Sequence, residues 1–340
     1  MKNSNKKKPT LQDIANAINI SASTVSRALN NHPKISQETK ERVWEAAKKI
    51  GYQPNIPAYM SPVKTKTVCY LVPNLDSQTY RDTIKSIQEY FFKKGYNLYI
   101  AFTNNSLEIE KMYTNSFPNL NIEGVIVALF DKNAETNHLN QLLNHNIPTV
   151  FINKTNHIPD SCKIIPDYSL GAYNAVNHLI SMKCTSIGIF TGDNNDLFYA
   201  DIIDGYKSAM EVAELYNSEY IFSNTIELKS IQHQLNMLLK QNKLPDAIIA
   251  PSAVVANQIN NWLSKHNLSI PEDLLLVSFN SDKNSSITSS TLSVIQFSGS
   301  EIGEEAAEKL FQQIKKGINA SETVIIPPKL IIKSSSLRLK

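Results

Sequence analysis

The chain has 340 residues and a formal net charge of +3, and residues 1–60 hold 10 basic residues against 4 acidic ones. No stretch approaches the roughly 18 consecutive apolar residues of a membrane span. The first nine residues are polar and rich in lysine, so we expect no secretory signal. Three widely spaced cysteines suit a reducing compartment. We therefore expect a cytoplasmic chain with a basic N-terminal part and a slightly acidic remainder.

Three short helices are predicted within residues 10–51. Each follows a residue that can cap its first turn, namely Thr10, Ser21 and Ser36. Apolar residues recur at helical spacing in all three, and Gly51 ends the third. In the second helix this spacing turns the apolar residues inward and leaves small side chains and an arginine outward. Such a surface near a helix N-terminus is typical of a recognition helix in the major groove of DNA.

This N-terminal part resembles the DNA-binding headpiece of the LacI/GalR family of bacterial repressors. The matching motifs are TLQDIA at 10–15, SASTVSRALN at 21–30, Ile35-Ser36 with Thr39, and GYQPN at 51–55 with Ala58. This many matches at fixed spacing form a specific signal. The resemblance implies a headpiece with a basic arm at residues 1–54, a hinge at 55–66, and a core at 67–340 that binds an effector and dimerises.

The resemblance and the side-chain chemistry together assign DNA contacts. Arg27 is expected to read the O6 and N7 edge of a guanine, because a guanidinium donates twice. Ala22 and Ser23 fall where the family reads further bases. Thr24 and Ser26, with the two asparagines at 30 and 55, are predicted phosphate contacts, or the first two serve as plain capping and surface residues. The full predicted set is Ala22, Ser23, Thr24, Ser26, Arg27, Asn30, Asn55, Ala58 and Met60.

The hinge departs from the family pattern. Relatives place a hinge helix in the minor groove and wedge a leucine between base steps. Here Ser61 stands at that position, so the wedge is either Met60 or Tyr59. Pro62 ends any helix within a turn. The sequence leaves the wedge residue, and with it DNA bending, open.

From Thr67 onward, apolar strand-like segments alternate with helices, and the rhythm restarts after Pro166. This alternation predicts parallel sheets covered by helices, twice over. The core resembles the family's sensor, which shares its fold with periplasmic sugar-binding proteins. The predicted fold is therefore an all-α helix-turn-helix headpiece followed by an α/β core of two subdomains with parallel sheets. The predicted first subdomain is 67–164 with 293–325, and the second is 165–292 with 326–340.

No catalytic or metal-binding motif is present in the sequence. The seven histidines do not fall in metal-ligand pairs, and the chain has no HExxH, CxxC, G-x-S-x-G or Walker motif. We therefore expect a protein that is not an enzyme and that needs no metal or cofactor. Its ligands should bind at the carboxyl ends of the strands, where open parallel sheets bind them.

The predicted effector cleft departs from the family at several positions. Ile202 stands where relatives commonly have an arginine, and Asn153 replaces an acidic residue. Two hypotheses remain. Either Arg81 supplies the cation and the ligand is a sugar acid or a phosphorylated sugar, or the cleft binds nothing small and the core serves dimerisation or a protein partner. The predicted cleft residues are Tyr80, Arg81, Asn153, Ile202, Asn280 and Gln296.

Together these features predict a sequence-specific DNA-binding regulator that represses carbohydrate-utilisation genes. The expected effector is a sugar, a sugar acid or a sugar phosphate. A two-fold homodimer should read a pseudo-palindromic operator, since one headpiece buries too little surface to discriminate a site. The helix predicted near residues 80–94 is a candidate for the dimer interface. A secreted solute receptor has no use for the headpiece, and a sugar enzyme needs catalytic groups that the sequence does not show.

Overall fold

A computed structural model describes residues 9–30, 32–52, 66–75, 77–129, 137–154, 158, 160–194, 196–279, 291–317 and 321–338. Within these ranges a domain of three helices precedes a core of two six-stranded sheets. The helices are α1 (Leu11–Ile18), α2 (Ala22–Leu29), α3 (Gln37–Ile50), α4 (Gln78–Lys93), α5 (Leu107–Ser116), α6 (Asn137–Asn144), α7 (Tyr168–Ser181), α8 (Leu197–Val212), α9 (Leu228–Lys240), α10 (Ala253–Lys265) and α11 (Gly299–Lys316).

The strands of the two sheets alternate with these helices along the chain. They are β1 (Thr67–Val72), β2 (Asn97–Phe102), β3 (Gly124–Ala128), β4 (Thr149–Ile152), β5 (Cys162–Pro166), β6 (Ile187–Phe190), β7 (Ile221–Phe222), β8 (Ala247–Ala250), β9 (Leu275–Phe279), β10 (Ser293–Gln296), β11 (Glu322–Ile326) and β12 (Lys329–Ile331). Among the described residues, no helix is both long and apolar enough to cross a membrane.

The headpiece, α1 to α3, packs around a small core of its own. Ile14, Val25 and Leu29 are at most 1% exposed. A reciprocal capping box begins α1: the Thr10 N–H donates to Asp13 Oδ2 at 2.7 Å, and the Asp13 N–H donates to Thr10 Oγ1 at 3.4 Å. The predicted three-helix arrangement is therefore confirmed, with its own apolar centre.

The turn between α1 and α2 has a clear local cause. Asn19 ends α1 with a φ of 56°, in the left-handed region that asparagine tolerates better than most residues. Ser21 then caps α2 by accepting the Thr24 N–H at 3.0 Å, and Ser36 caps α3 in the same way from Thr39 at 3.2 Å. These caps fix where each helix begins and so how the helices meet.

The core consists of two sheets with matching topology. The strand order of the first sheet is β11-β5-β4-β3-β1-β2, and that of the second is β12-β10-β9-β8-β6-β7. All pairings are parallel except that of β12 with β10, which is antiparallel. The central strands are buried along their length, as expected where helices cover both faces. The predicted fold class is confirmed.

One predicted subdomain boundary is wrong. The sequence predicts residues 293–325 in the first subdomain, but Ser293–Gln296 forms β10, which pairs with β9 and β12 in the second sheet. The chain passes to the first subdomain only after this strand. The amphipathic pattern of a strand does not reveal which of two similar sheets receives it, because that choice depends on long-range pairing.

The chain crosses between the two sheets at three places, after β5, after β10 and after β11. The first and third crossings are joined, since the Asp167 N–H donates to the Ile326 carbonyl oxygen at 2.9 Å. All three crossings leave from the carboxyl ends of their strands. They therefore lie at the edge of the sheets where ligands bind in this kind of fold.

Helices α4 and α11 pack closely in the first subdomain. A Cβ atom at Gly299 or Gly303 would collide with the carbonyl oxygens of Thr79 and Thr83, so only glycine permits this approach. The Thr83 hydroxyl donates to the Gly299 carbonyl oxygen at 3.0 Å. One face of α4, the helix predicted near residues 80–94, is thus used within the chain, whereas Lys85, Glu89 and Phe92 are exposed.

Candidate nucleic-acid interface and ligand cleft

The outward surface of α2 is the candidate nucleic-acid interface. Val25, Ala28 and Leu29 point into the headpiece core and are at most 1% exposed. Ser23 and Arg27 are exposed on the opposite side. Within the described residues, the Arg27 guanidinium makes no hydrogen bond and no ion pair. Its donors are therefore available to a base edge or a phosphate.

The other predicted contacts on α2 differ in how much of each side chain remains available. Ala22 is half-buried and packs against the headpiece core. The hydroxyls of Ser23 and Thr24 each lie 2.8 Å from the capping Ser21 hydroxyl. Asn30 is exposed, and its amide donates to the Ser26 carbonyl oxygen at 2.8 Å. Thr24 thus takes part in the cap of the helix, the role that the sequence left open for it.

The remaining DNA predictions concern the hinge and the basic arm. Asn55, Ala58 and Met60 lie outside the described residues, as do Tyr59, Ser61 and Pro62 of the predicted hinge. The basic arm at residues 1–8, with its four lysines, lies outside them as well. These predictions remain predictions.

A cavity of about 160 Å³ lies at the carboxyl ends of β1, β4 and β5, beside the crossings between the sheets. Its position matches the expected ligand cleft of the fold. We call it the cleft cavity. The residues that line it are Tyr70, Ser77, Thr79, Tyr80, Thr83, Ile152, Asn153, Pro166, Tyr168, Phe297 and Ile302.

Two of the predicted cleft residues, Tyr80 and Asn153, line this cavity. Arg81 is not among the lining residues: its guanidinium donates to the Leu75 carbonyl oxygen and, at 3.1 Å, to Gln78 Oε1. The side chain is therefore engaged with the first turn of its own helix.

The other three predicted cleft residues also lie away from the cavity lining or outside the described residues. Ile202 is fully buried in the core of the second subdomain. Gln296 ends β10 and pairs in register with Lys329. Asn280 lies outside the described residues. Of the described predictions, the structure thus brings together Tyr80 and Asn153 and leaves the others apart.

Asn153 and Tyr168 form the polar bridge of the cleft cavity. The Tyr168 hydroxyl donates to Asn153 Oδ1 at 3.3 Å, and Asn153 Nδ2 donates to the Leu129 carbonyl oxygen at 3.3 Å. Asn153 follows β4 of the first subdomain, whereas Tyr168 begins α7, which packs against α8 in the second. This contact joins the two subdomains across the cavity.

Aromatic rings fix Tyr168 in place. Its ring meets Phe198 edge-on at a centroid distance of 4.7 Å and Phe297 at 4.8 Å. Burial raises the pKa of the Tyr168 hydroxyl, and the nearby Tyr80 raises it further. Burial also raises the pKa of Tyr80 to about 12. Both tyrosines are thus neutral at physiological pH and can donate as well as accept hydrogen bonds.

Tyr70 also lines the cleft cavity. It lies in the middle of β1 and is fully buried, and its hydroxyl has no hydrogen-bond partner among the residues that the structure describes. Burial, and then the neighbouring Tyr80, raise the pKa of this hydroxyl. Sequence reasoning missed Tyr70, because it sits within an apolar run that reads only as a buried strand. No local pattern marks which residue of such a strand reaches a cavity.

An ion pair also joins the two subdomains beside the cleft. Lys154 Nζ lies 3.0 Å from Asp201 Oδ1, and the lysine is 46% exposed. Lys154 follows β4 in the first subdomain, and Asp201 lies on α8 in the second. The pair therefore contributes to holding the subdomains together at the rim rather than lining the cavity.

A larger cavity of about 440 Å³ lies at the opposite, amino-terminal edge of the first sheet, near Glu123 and His145. The fold argues against it as the ligand site, because open parallel sheets bind ligands at the carboxyl ends of their strands. In the part of the chain that the structure describes, no cluster of three or more His, Cys, Asp or Glu residues could hold a metal ion.

Models of two protein families match the headpiece and most of the core. The model of bacterial regulatory proteins of the lacI family matches residues 10–55, and that of the periplasmic binding protein-like domain matches residues 176–336. The chain is 26% identical over 333 residues to the HTH-type transcriptional repressor PurR of Aliivibrio salmonicida strain LFI1238, which covers 97% of this chain and 99% of that protein.

Two solved structures share the fold over almost the whole chain. The lac repressor dimer bound to operator and the anti-inducer ONPF has a TM-score of 0.73 at 17% identity, and covers 98% of this chain and 100% of that one. The complex of the transcriptional regulator CelR with cellobiose has a TM-score of 0.70 at 19% identity, covering 96% and 100%. The chain belongs to the lacI family of bacterial regulatory proteins. It is a DNA-binding transcriptional repressor whose core has the periplasmic binding protein-like fold.

Proposed function

We propose that the protein represses transcription by binding a pseudo-palindromic operator as a homodimer, and that a small ligand in the cleft cavity changes its affinity for that operator. One observation carries the proposal. The same chain presents an exposed recognition surface on α2 and a cavity where the chain crosses between two sheets. The first suits DNA, and the second suits a small molecule whose binding moves two subdomains.

In this proposal, α2 enters the major groove and Arg27 reads a guanine there. Within the described residues the Arg27 guanidinium has no partner, and this supports the role, since it can donate two hydrogen bonds to the O6 and N7 atoms. Exposed lysines and arginines of the headpiece supply phosphate contacts, which add affinity that falls with salt. The protein acts in the cytoplasm, where the operator is.

The dimer is proposed to form along the edges of the sheets that end in β2 and β7. Tyr99 on β2 is 42% exposed, and Met112 on the following helix α5 is 59% exposed. In the second subdomain, Leu228 at the start of α9 and Val254 on α10 are 48% and 58% exposed. Exposed apolar side chains on both subdomains suit one continuous isologous contact. The lac repressor structure with the same fold is a dimer.

The ligand is proposed to act by shifting an equilibrium between open and closed clefts. The ligand can shift this equilibrium only by the difference between its binding free energies for the two states. In such systems this difference is typically about 1–3 kcal/mol. The crossings after β5, β10 and β11 are the places where the two subdomains can turn against each other. Such a turn alters the spacing of the two headpieces in a dimer and thus operator affinity.

A carbohydrate-derived effector remains our proposal for the class of genes under control. The solved CelR structure contains cellobiose, and the lac repressor structure contains an anti-inducer, so the shared fold supports a small ligand. The engagement of Arg81 with Leu75 and Gln78 speaks against its use as the cation for a sugar acid. The alternative of a core without any ligand is not favoured, because the cleft cavity presents polar and aromatic side chains at the edge of the sheets where this fold binds ligands.

Selection of operators from random DNA duplexes tests the proposal. The purified protein should enrich a two-fold related motif with half-sites about one helical turn apart, and the complex should contain two chains per duplex by mass. Enrichment of an asymmetric motif by a single chain, or of no motif, would contradict it. Enzymatic activity is not part of the proposed function.

A further inference from the structure

The buried Tyr70 hydroxyl is the most informative polar group outside the predicted site. Several described side chains have a buried polar atom without a partner, and Tyr70 is the one among them that lines the cleft cavity. A buried hydroxyl that has lost its water and gained no partner is unfavourable for the folded chain. Because the Tyr70 hydroxyl lies at a cavity, a ligand in that cavity can supply the missing partner.

The surroundings of the cavity narrow the chemistry of that ligand. Tyr80, Tyr168 and Phe297 give aromatic walls, and Ser77, Thr83 and Asn153 give neutral polar groups. Among the described lining residues none is charged. The described lining therefore offers no cation to replace the hydration that an anion would lose, and these residues favour an uncharged ligand.

Aromatic walls and neutral hydrogen-bonding groups together suit a ring. The face of a sugar or of a planar heterocycle packs against aromatic rings, and its edge carries hydroxyl, carbonyl or N–H groups. A cavity of about 160 Å³ has room for one such ring and not for a chain of several.

We propose that Tyr70 is a specificity-determining residue of the cleft, and that its hydroxyl binds a polar group on the edge of a small uncharged ring. The inference rests on the proposed function, since it places the ligand in the same cleft. It departs from the expectation of a sugar acid or a phosphorylated sugar bound by Arg81. Two sources supply this chemistry, neutral monosaccharides and uncharged nucleobases.

A thermal-shift screen of the full-length protein, followed by calorimetric titration, tests this proposal. The panel pairs each uncharged ring with a charged counterpart: monosaccharides with the matching uronic acids and sugar phosphates, and nucleobases with nucleoside monophosphates. We expect an uncharged member to raise the melting temperature. Its charged counterpart should need at least a tenfold higher concentration to produce the same shift. The arm of the panel that responds distinguishes a sugar from a heterocycle.

Tyr70→Phe removes only the hydroxyl and therefore reports on its role. The variant should bind the uncharged ring about tenfold more weakly, while its melting temperature without ligand stays equal or rises, because the unpartnered group is gone. If the Tyr70 hydroxyl had only a structural role, the variant should melt at a lower temperature and bind the ring with unchanged affinity. Tyr206→Phe is the matched control: its buried hydroxyl donates to the Ile187 carbonyl oxygen at 2.7 Å, so the control should melt earlier and bind the ring unchanged.

Three results would overturn the inference. The first is an unchanged dissociation constant in Tyr70→Phe, and the second is a response of charged rings alone. The third is a panel without any response. Failure of the proposed function has a different signature, namely the absence of an operator motif from selection with the wild-type protein, which does not involve the cleft.

Discussion

The nucleic-acid interface and the cleft cavity are built in opposite ways. The contacts of the first come from one short segment, α2, and lie exposed on a helix whose caps and apolar spacing are all local. The lining of the second comes from segments between Tyr70 and Ile302, brought together by two sheets and buried. A local surface can be read from a motif, whereas a site assembled over more than two hundred residues depends on which strands become neighbours.

The sharpest way to separate the two regions is to unfold one of them. Leu29→Ala removes a fully packed side chain from the headpiece core and should cost about 2–5 kcal/mol. A domain this small has little stability to lose, so operator binding should disappear. The thermal unfolding of the core should stay unchanged. Calorimetry and operator binding measure the two outcomes.

Val212→Ala is the control for this variant, because Val212 is 75% exposed and should matter to neither region. The comparison breaks if Leu29→Ala lowers the melting temperature of the core, which would mean that the two regions fold as one unit. Unchanged operator affinity in Leu29→Ala would also contradict the distinction between the two regions.

The two regions also differ in how far the sequence could predict them. Thr10, Ser21 and Ser36 cap their helices as expected, because a cap depends on residues three positions apart. The alternation of strands and helices also predicted two parallel sheets, because the pattern of each element is local in the sequence. The assignment of residues 293–296 to the first subdomain was wrong, because the local sequence of β10 does not determine its pairing with β9 and β12.

The candidate cleft was harder to predict than the fold. Arg81 has the right charge for a ligand contact, yet a nearby carbonyl oxygen and Gln78 engage it. Tyr70 gives no signal in the sequence, because its importance arises from a missing partner in the folded chain. Side-chain chemistry predicts what a residue can do, and packing decides whether it is in a position to do it.

The hydrogen bonds of Asp246 join segments of the core that are about 60 residues apart in the sequence. Its carboxylate accepts the Thr185 and Ser186 N–H groups at 2.7 and 3.0 Å. Burial alone would raise the pKa of Asp246, but these hydrogen bonds outweigh it and lower the pKa. The resulting stability is present above the pKa of an unfolded aspartate and is lost as the pH falls through the lower pKa of the folded state.

We expect Asp246→Asn to destabilise the core by about 1–2 kcal/mol at pH 7, because hydrogen bonds to a charged group are lost. Urea unfolding at pH 7 and at pH 3 measures the effect, and the gap between variant and wild type should be narrower at pH 3. A gap that stays constant with pH would show that the charge of Asp246 is not what stabilises the strand edge. Operator binding by the headpiece should not change.

The smallest expected effect concerns the Lys154–Asp201 pair at the rim of the cleft. Exposed ion pairs contribute at most about 1 kcal/mol, which corresponds to roughly a fivefold change in the ratio of closed to open clefts. Lys154→Gln and Asp201→Asn should therefore each increase the radius of gyration slightly in small-angle scattering at low salt. High salt should reduce the difference from wild type. Identical scattering at both salt concentrations would show that the pair does not hold the cleft closed.

The central claim is that α2 reads DNA through the exposed Arg27, and operator selection with Arg27→Ala tests it most directly. Arg42→Ala is the matched control, since Arg42 is also an exposed headpiece arginine but lies on α3. We expect Arg27→Ala to lose about 1–3 kcal/mol of discrimination at one guanine in each half-site, and Arg42→Ala to weaken binding without changing the motif. An unchanged motif in Arg27→Ala would contradict the account.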